Sequence, residues 1–453
     1  MMRLNGVCGL GVAASLLAVG CAEWKTGGNI GGANQGVRSP GNRQGGIMLE
    51  DGDVAVSANG KFFATLREGR LVLGDVGGTT ARALDSLPRV ERIAFWPHGD
   101  GEGVFVLAGA QRDGTDGQPE RVISYNRAED RVVWEKQLTR RDRWIDVTPD
   151  GRRLILSGTD LQLLDAATGQ EIGTPVQGEM PVRDLDITRD GRFFIVTQET
   201  SWAGDRPKTR IESRRTEDGT KVCEVEADNC ADEMEVTEDN RAFLAPTLCQ
   251  KDPVTVMKVG EECGVERQMP GFGPVAMSPD GKTAMAFIDR DVPVDPEGPA
   301  IPAEVKSSNT RFHLMVIDVK TLEFRTQPVA QDLPRYTYTP DGHTLVVDQP
   351  MDVLSAIETF DLLSGAHRAV QGPRVKLHRF AFSPDSRRAF FLSDGVFELD
   401  LANNAIRAIP LPFMPSSVNV SQDGLTVLLT NTVDRTVRFM DADTKEERGR
   451  ASY

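Results

Sequence analysis

Read for hydrophobic and polar positions alone, the chain from residue 47 onward repeats one pattern: a short alternating run, a turn, a nearly continuous apolar run, then two further short runs. Alternation with a period of two marks a strand with one face buried, and a brief apolar run between turn residues marks a strand covered on both faces. The stretch 378–409 shows the whole unit. Its strands read Arg379-Phe380-Ala381-Phe382, Ala389-Phe390-Phe391-Leu392, Val396-Phe397-Glu398-Leu399-Asp400 and Ala405-Ile406-Arg407-Ala408-Ile409. A sheet this small cannot bury both faces by itself, so units must cover one another.

The first two strands of each unit meet at a recurrent corner: Ser57-Ala58-Asn59-Gly60, Thr148-Pro149-Asp150-Gly151, Thr188-Arg189-Asp190-Gly191, Thr237-Glu238-Asp239-Asn240, Ser278-Pro279-Asp280-Gly281, Thr339-Pro340-Asp341-Gly342, Ser383-Pro384-Asp385-Ser386 and Ser421-Gln422-Asp423-Gly424, with Trp96-Pro97-His98-Gly99 as a degenerate ninth. Proline presets φ for the second turn position, aspartate bonds nearby amides, and glycine takes the positive φ that a side chain resists. Counted at the aspartate position, neighbouring corners lie from 38 residues apart (385 to 423) to 61 apart (280 to 341). Third strands commonly end in an aspartate and a tight turn, as in Leu163-Leu164-Asp165-Ala166-Ala167-Thr168-Gly169 and Phe360-Asp361-Leu362-Leu363-Ser364-Gly365. Radial stacking leaves only short, protected edges, so the expectation is an all-β chain forming a single closed β-propeller of four-stranded blades. Nine units are counted, and seven to nine blades are admitted because terminal units are often irregular.

On these corners the units resemble the YVTN-type repeats of bacterial surface and periplasmic propellers, and the related WD40-like Ser-Pro-Asp-Gly repeats of the Tol-system propeller, over 47 to 453. The resemblance implies an architecture and not an activity: such propellers serve as adhesins, assembly factors, scaffolds and, in a minority, enzymes.

The units differ most between their second and third strands, with insertions at Ala110–Glu120, Glu199–Thr209 and Asp289–Arg311 and a longer segment at Pro350–Ala356. In an antiparallel blade all these connections emerge on one side of the disc, beside the links between blades, and enlarged loops on one side commonly mark a binding face. The candidate binding residues there are Arg112, Asp113, Asp116, Trp202, Asp205, Asp289, Asp291, Asp295 and Glu297.

Ahead of the repeats, Met1-Met2-Arg3 is a short positive start, residues 4–20 are apolar or small apart from Asn5, and Leu17-Ala18-Val19-Gly20-Cys21 closes the run. This reads as a signal peptide over 1–20, too short to span and remain. Its end resembles the bacterial lipobox, with Ala18 where leucine is usual, and implies lipidation of Cys21. Ala22 next to it, in place of aspartate, implies the outer membrane. Residues 21–46, rich in glycine and asparagine, read as a flexible tether. The domains are thus 1–20, 21–46 and 47–453. With 52 basic against 67 acidic residues the formal charge is -15. That disfavours nucleic acid and adsorption to anionic lipid, leaving the acyl anchor as the membrane attachment.

Of the six cysteines, Cys8 lies in the signal and Cys21 at the anchor; Cys223, Cys230, Cys249 and Cys263 suggest two disulfides in an exported protein. Proximity favours Cys223 with Cys230 and Cys249 with Cys263, and the 6, 18 and 13 intervening residues lack the close pairs of a zinc site. The histidines, His98, His313, His343, His367 and His378, fall in separate units. Asp289, Asp291, Asp295 and Glu297 offer oxygen ligands that could suit calcium, without the spacing of a dedicated calcium loop, and read better as a solvated acidic loop. No cofactor is expected. Trp134, Trp144 and Trp202 read as residues that pack between blades or cap loops. The leading functional expectation is a monomeric, noncatalytic envelope lipoprotein that binds a protein or cell-wall polymer through its looped face. The alternative is a propeller enzyme of lactonase or hydrolase type with acidic and histidine groups meeting in the central channel.

Overall fold

The computed structural model describes residues 47–452 apart from short stretches, the longest being 110–119 and 371–379; residues 1–46 lie outside it. The expected fold is found. Nine antiparallel four-stranded blades, one of them (the second) extended by a short fifth strand, follow one another along the chain and form a nine-bladed β-propeller, which resolves the blade count at its upper bound. The blades are Val54–Ala83, Val90–Gln137, Asp142–Gln177, Val182–Ala227, Ala231–Met269, Phe272–Ala330, Arg335–Ala369, Phe380–Ile409 and Ser417–Ser452. Within each blade the strands pair in sequence order, and the first strands of neighbouring blades pack on one another, which places them innermost.

Side chains on the two faces of every blade go to two different cores. In blade 3, Leu154, Leu156 and Leu164 join Phe105, Leu107 and Val122 of blade 2, whereas Ile155, Leu161 and Leu163 join Leu185, Phe194 and Val196 of blade 4. Nine such clusters occur among the described residues, one at each junction between successive blades and one between the last blade and the first. Fully burying a Leu, Val or Phe side chain contributes about 1.5 to 3 kcal/mol. The apolar second strands therefore do most to hold the ring together.

Among the described residues, each of blades 1 and 9 is built from four consecutive strands, and no strand is exchanged between them. Val54 and Phe63 of blade 1 pack with Leu428, Val437 and Phe439 of blade 9, and the Phe63 and Phe439 rings lie 6.0 Å apart. Asn419 Nδ2 donates to the Val54 carbonyl at 3.1 Å, Thr430 Oγ1 donates to the Gly52 carbonyl at 2.5 Å, and Arg435 pairs with Glu68 at 3.2 Å. Among the described residues, ring closure rests on packing and side-chain bonds.

The corners fold as their chemistry dictates. In eight blades the Ser or Thr hydroxyl donates to the Asp (or Asn59) side chain two residues on, at 2.5 to 2.8 Å. The residue after that carboxylate has a positive φ, from 59° at Ser386 to 72° at Gly342 and Gly424. The His98 corner lies outside the described residues.

The expected disulfide pairing is corrected. Cys223, on the outermost strand of blade 4, is bonded to Cys263, in the turn before the outermost strand of blade 5, with Cα atoms 5.7 Å apart. Cys230 and Cys249 lie outside the described residues. Residues one blade apart meet at the junction, so distance along the chain is a poor guide to pairing. Arg192 and Arg215 of blade 4 both pair with Glu261 at 3.1 Å, and Ser213 Oγ accepts the Gly260 N–H at 3.1 Å.

Candidate functional site

Strand direction gives the disc two unlike faces. Corners between first and second strands, and turns between third and fourth, share one of them, here called the turn face. The second-to-third connections and the links between blades share the other, the loop face.

The turn face is nearly uniform, and its acids are engaged locally. Asp150, Asp280 and Asp385 are held below the usual 3.8: partial burial opposes the shift, and the Thr148, Ser278 and Ser383 hydroxyls with nearby N–H groups outweigh it. Asp441 is pulled down to about 2 by the Thr444 and Asp443 amides and then by Arg448. Asp165, Asp318, Asp361 and Asp400 accept N–H bonds within their own turns. Most of these bonds go to one oxygen of each carboxylate, Oδ1, and hold the acid against its own turn.

The loop face is where the blades diverge. In blade 4 the segment Glu199–Thr209, expected as a loop, continues the two central strands: Phe193–Ala203 and Arg206–Arg215 pair as one long hairpin. Blade 7 does the same with Thr344–Met351 and Leu354–Asp361. In blade 6 the insertion folds back onto the ring. It carries one short helix, Ala303–Lys306, and its buried Ile301 and Val305 close over the core between blades 5 and 6.

At the base of that insertion the Asp289 carboxylate is fully buried and meets the Arg311 guanidinium at 2.8 to 3.1 Å, while its Oδ1 accepts the Asp291 N–H at 2.9 Å. Asp291 is exposed and pairs with Arg290 at 2.8 Å; Arg290 in turn donates to the Ser308 carbonyl at 2.7 Å. The structure thus brings Asp289 and Asp291 together, but as partners of arginines that staple the loop. Asp295, Glu297, Arg112, Asp113, Asp116 and Asp205 lie outside the described residues, and Trp202 is placed by its backbone near the hairpin tip of blade 4. Among the described residues no group of three or more His, Cys, Asp or Glu is arranged to hold a metal ion.

The histidines stand apart. His313 lies buried on the third strand of blade 6; burial lowers its affinity for a proton, against the hydrogen bond to the Thr310 carbonyl at 3.2 Å. His343 follows a corner, and His367 stacks on Phe360 at 4.5 Å with Glu358 at 2.9 Å on the outer part of blade 7. His98 and His378 lie outside the described residues. Two tryptophans pack between blades, as anticipated. Trp134 donates to the Ala166 carbonyl of blade 3 at 3.0 Å, and Trp144 of blade 3 lies under the Arg92 guanidinium of blade 2 at 4.3 Å.

One feature of the loop face was missed in the sequence. The link between blades 8 and 9, Pro410-Leu411-Pro412-Phe413-Met414-Pro415, leaves Met414 54% exposed, and the nearby second-to-third turn of blade 9 leaves Val433 91% exposed. The two turns are joined by a hydrogen bond between the Ser416 and Thr432 hydroxyls at 2.9 Å. A run of apolar residues in a surface connection was the available signal.

No protein-family model matches the chain, and no curated protein does. Among solved structures it is similar to Kuenenia stuttgartiensis hydrazine synthase, at 19% identity and a TM-score of 0.38 over 66% of this chain and 94% of that one. It is also similar to the dihydro-heme d1 dehydrogenase NirN, solved in complex with DHE, at 15% identity and a TM-score of 0.49 over 81% of this chain and 75% of that one. Likeness at this level carries no argument about activity.

Proposed function

We propose that this protein is a noncatalytic binding propeller, held at the bacterial envelope by a lipidated Cys21, that recognises a protein or cell-wall partner through its loop face. The observation that carries the reading is the asymmetry of the disc. One face repeats the same hydroxyl-to-acid corner in the eight blades whose corners are described; the other bears two extended hairpins, a stapled insertion with its own helix, and the exposed pair Met414 and Val433. Exposed apolar side chains beside polar turns suit a protein partner better than a polysaccharide, because burying them contributes to association without demanding hydrogen bonds.

The test is site-specific photo-crosslinking in cells. A crosslinking residue is placed at Glu304 or Val433 on the loop face, and at Lys282 or Arg387 on the turn face, all four exposed. The reading expects one discrete adduct, of the same mass increment, from both loop-face sites and none from the turn-face sites. Equal capture from the two faces would sink it.

A further inference from the structure

The segment Ile47–Met48 is not part of blade 1. It pairs antiparallel with the first strand of blade 2, Ile47 opposite Ile93 and Met48 opposite Arg92, as a fifth strand on the innermost edge of that sheet. Ile47 packs against the core between blades 1 and 2, and Leu49, 5% exposed, belongs to that core. The segment therefore lines the central channel and covers the one edge of blade 2 that would otherwise face it.

Its direction follows from the pairing. Every first strand runs from the loop face, where the links between blades lie, to the corner on the turn face. A strand antiparallel to one of them runs from the turn face to the loop face. The chain then turns through Gly52, whose N–H reaches the Leu66 carbonyl at the loop-face end of blade 1 at 3.5 Å, and starts blade 1 from that face. The amino-terminal end of the Ile47–Met48 strand accordingly points to the turn face.

We infer that the amino-terminal tether leaves the propeller through the mouth of the channel on the turn face, so that the loop face is presented away from whatever Cys21 is anchored in. The second clause rests on the lipid-anchor reading above; the first does not. A flexible chain of the 26 residues from 21 to 46 has a mean span of about 28 Å. Strands of six residues make the disc about 20 Å thick, and three strand spacings make each blade about 14 Å wide. Carrying the tether around the rim to the loop face takes at least about 34 Å, beyond its mean span though within its full reach, so the turn-face exit favours the turn face toward the anchor without enforcing it. The partner is then a protein met on the far side of the disc from the anchoring bilayer.

The experiment uses the mature chain with Cys21→Ser, a donor dye on a noncanonical residue at position 36, and an acceptor at Gln422 or at Val433. Both acceptor sites are exposed turns of blade 9, the first on the turn face and the second on the loop face. Energy transfer to 422 is expected to be at least twice that to 433; equal transfer, or more to 433, overturns the exit face. A second arm places the lipidated protein on phosphatidylethanolamine and phosphatidylglycerol vesicles with an acceptor lipid, and a dye at 422 or 433. Stronger transfer from 422 supports the orientation, and equal or stronger transfer from 433 overturns it. Failure of the chain to attach at all overturns the anchor reading alone and leaves the exit face to the first arm.

Discussion

Replacing Cys223 and Cys263 with serine tests the blade junction at which proximity along the chain and the fold disagree. The bond closes a loop with a sequence separation of 40. In the chain-entropy account a loop of that length, kept closed in the unfolded ensemble, stabilises the folded state by about 4 kcal/mol. Unfolding entropy near 2.1 cal/mol/K per residue, over about 400 residues of ring, gives about 0.85 kcal/mol/K, so the double variant should melt about 5 °C lower. The assay has two parts. Thermal melts of oxidised wild type and of the double variant give the magnitude. Tryptic digestion without reduction gives the connectivity, because 222–241 contains both Cys223 and Cys230, 242–251 contains Cys249, and 259–267 contains Cys263. The structure requires 259–267 to be released joined to 222–241. Recovery of 259–267 joined to 242–251, with 222–241 free of other peptides, is the pattern of the proximity pairing and would refute the junction as described.

The remaining expectations follow from other contacts. Asp184 and Asp186, on the first strand of blade 4, each accept one N–H beside them and one from blade 5, at Met234 and Val236, all at 2.8 to 2.9 Å. Substituting either with alanine removes two charge-assisted bonds worth roughly 1.5 to 3 kcal/mol each before solvent refills the site, so a loss of about 2 to 4 kcal/mol is expected by denaturant titration. Gly103→Ala puts a Cβ within 2.0 Å of the Trp96 indole, so it should cost about 1 to 3 kcal/mol and shift the tryptophan emission. Asp150, Asp280, Asp385 and Asp441 bind protons less readily folded than unfolded, so they contribute stability above their unfolded value of 3.8 and lose it as the pH falls through their lower folded values. Melting temperature should be flat with respect to these groups above pH 5 and fall toward pH 2; a rise on acidification would contradict the turn chemistry. Val433→Asp should leave the melting curve unchanged and reduce the loop-face adduct at least about tenfold.

The sequence carried the blades because the blade is local. Pro-Asp-Gly corners set a strand pair within some ten residues, and the strands read at 378–409 fall within one residue of those found. What it hid depends on neighbours. Glu199–Thr209 reads as an inserted loop between the second and third strands, yet Phe193–Ala203 and Arg206–Arg215 run through it and are held by each other. Ile47-Met48 is too short to show any period; only the edge it covers makes it a strand. Asp184 and Asp186 carry no signal of their own in the sequence, and each accepts a backbone N–H from the next blade. Cys223 and Cys263 stand 40 positions apart, close to one repeat, and so come to the same junction.

The same locality explains why function was harder to read than fold. A repeat that ties its own hydroxyl, carboxylate and amide together at each described corner uses the chemistry it displays most often to shape its own turns, so the motif most visible in the sequence reports the fold before it reports a ligand. Variation survives where no repeat-wide hydrogen bond depends on it, which in an antiparallel blade is the second-to-third connection. Asp289 illustrates the point: its carboxylate attracts notice as an acidic cluster in sequence, but in the fold it closes on Arg311 and anchors a loop whose outer surface is left to vary. On the inferred exit of the amino-terminal segment through the turn face, the part of the molecule free to differ is also the part free to reach outward.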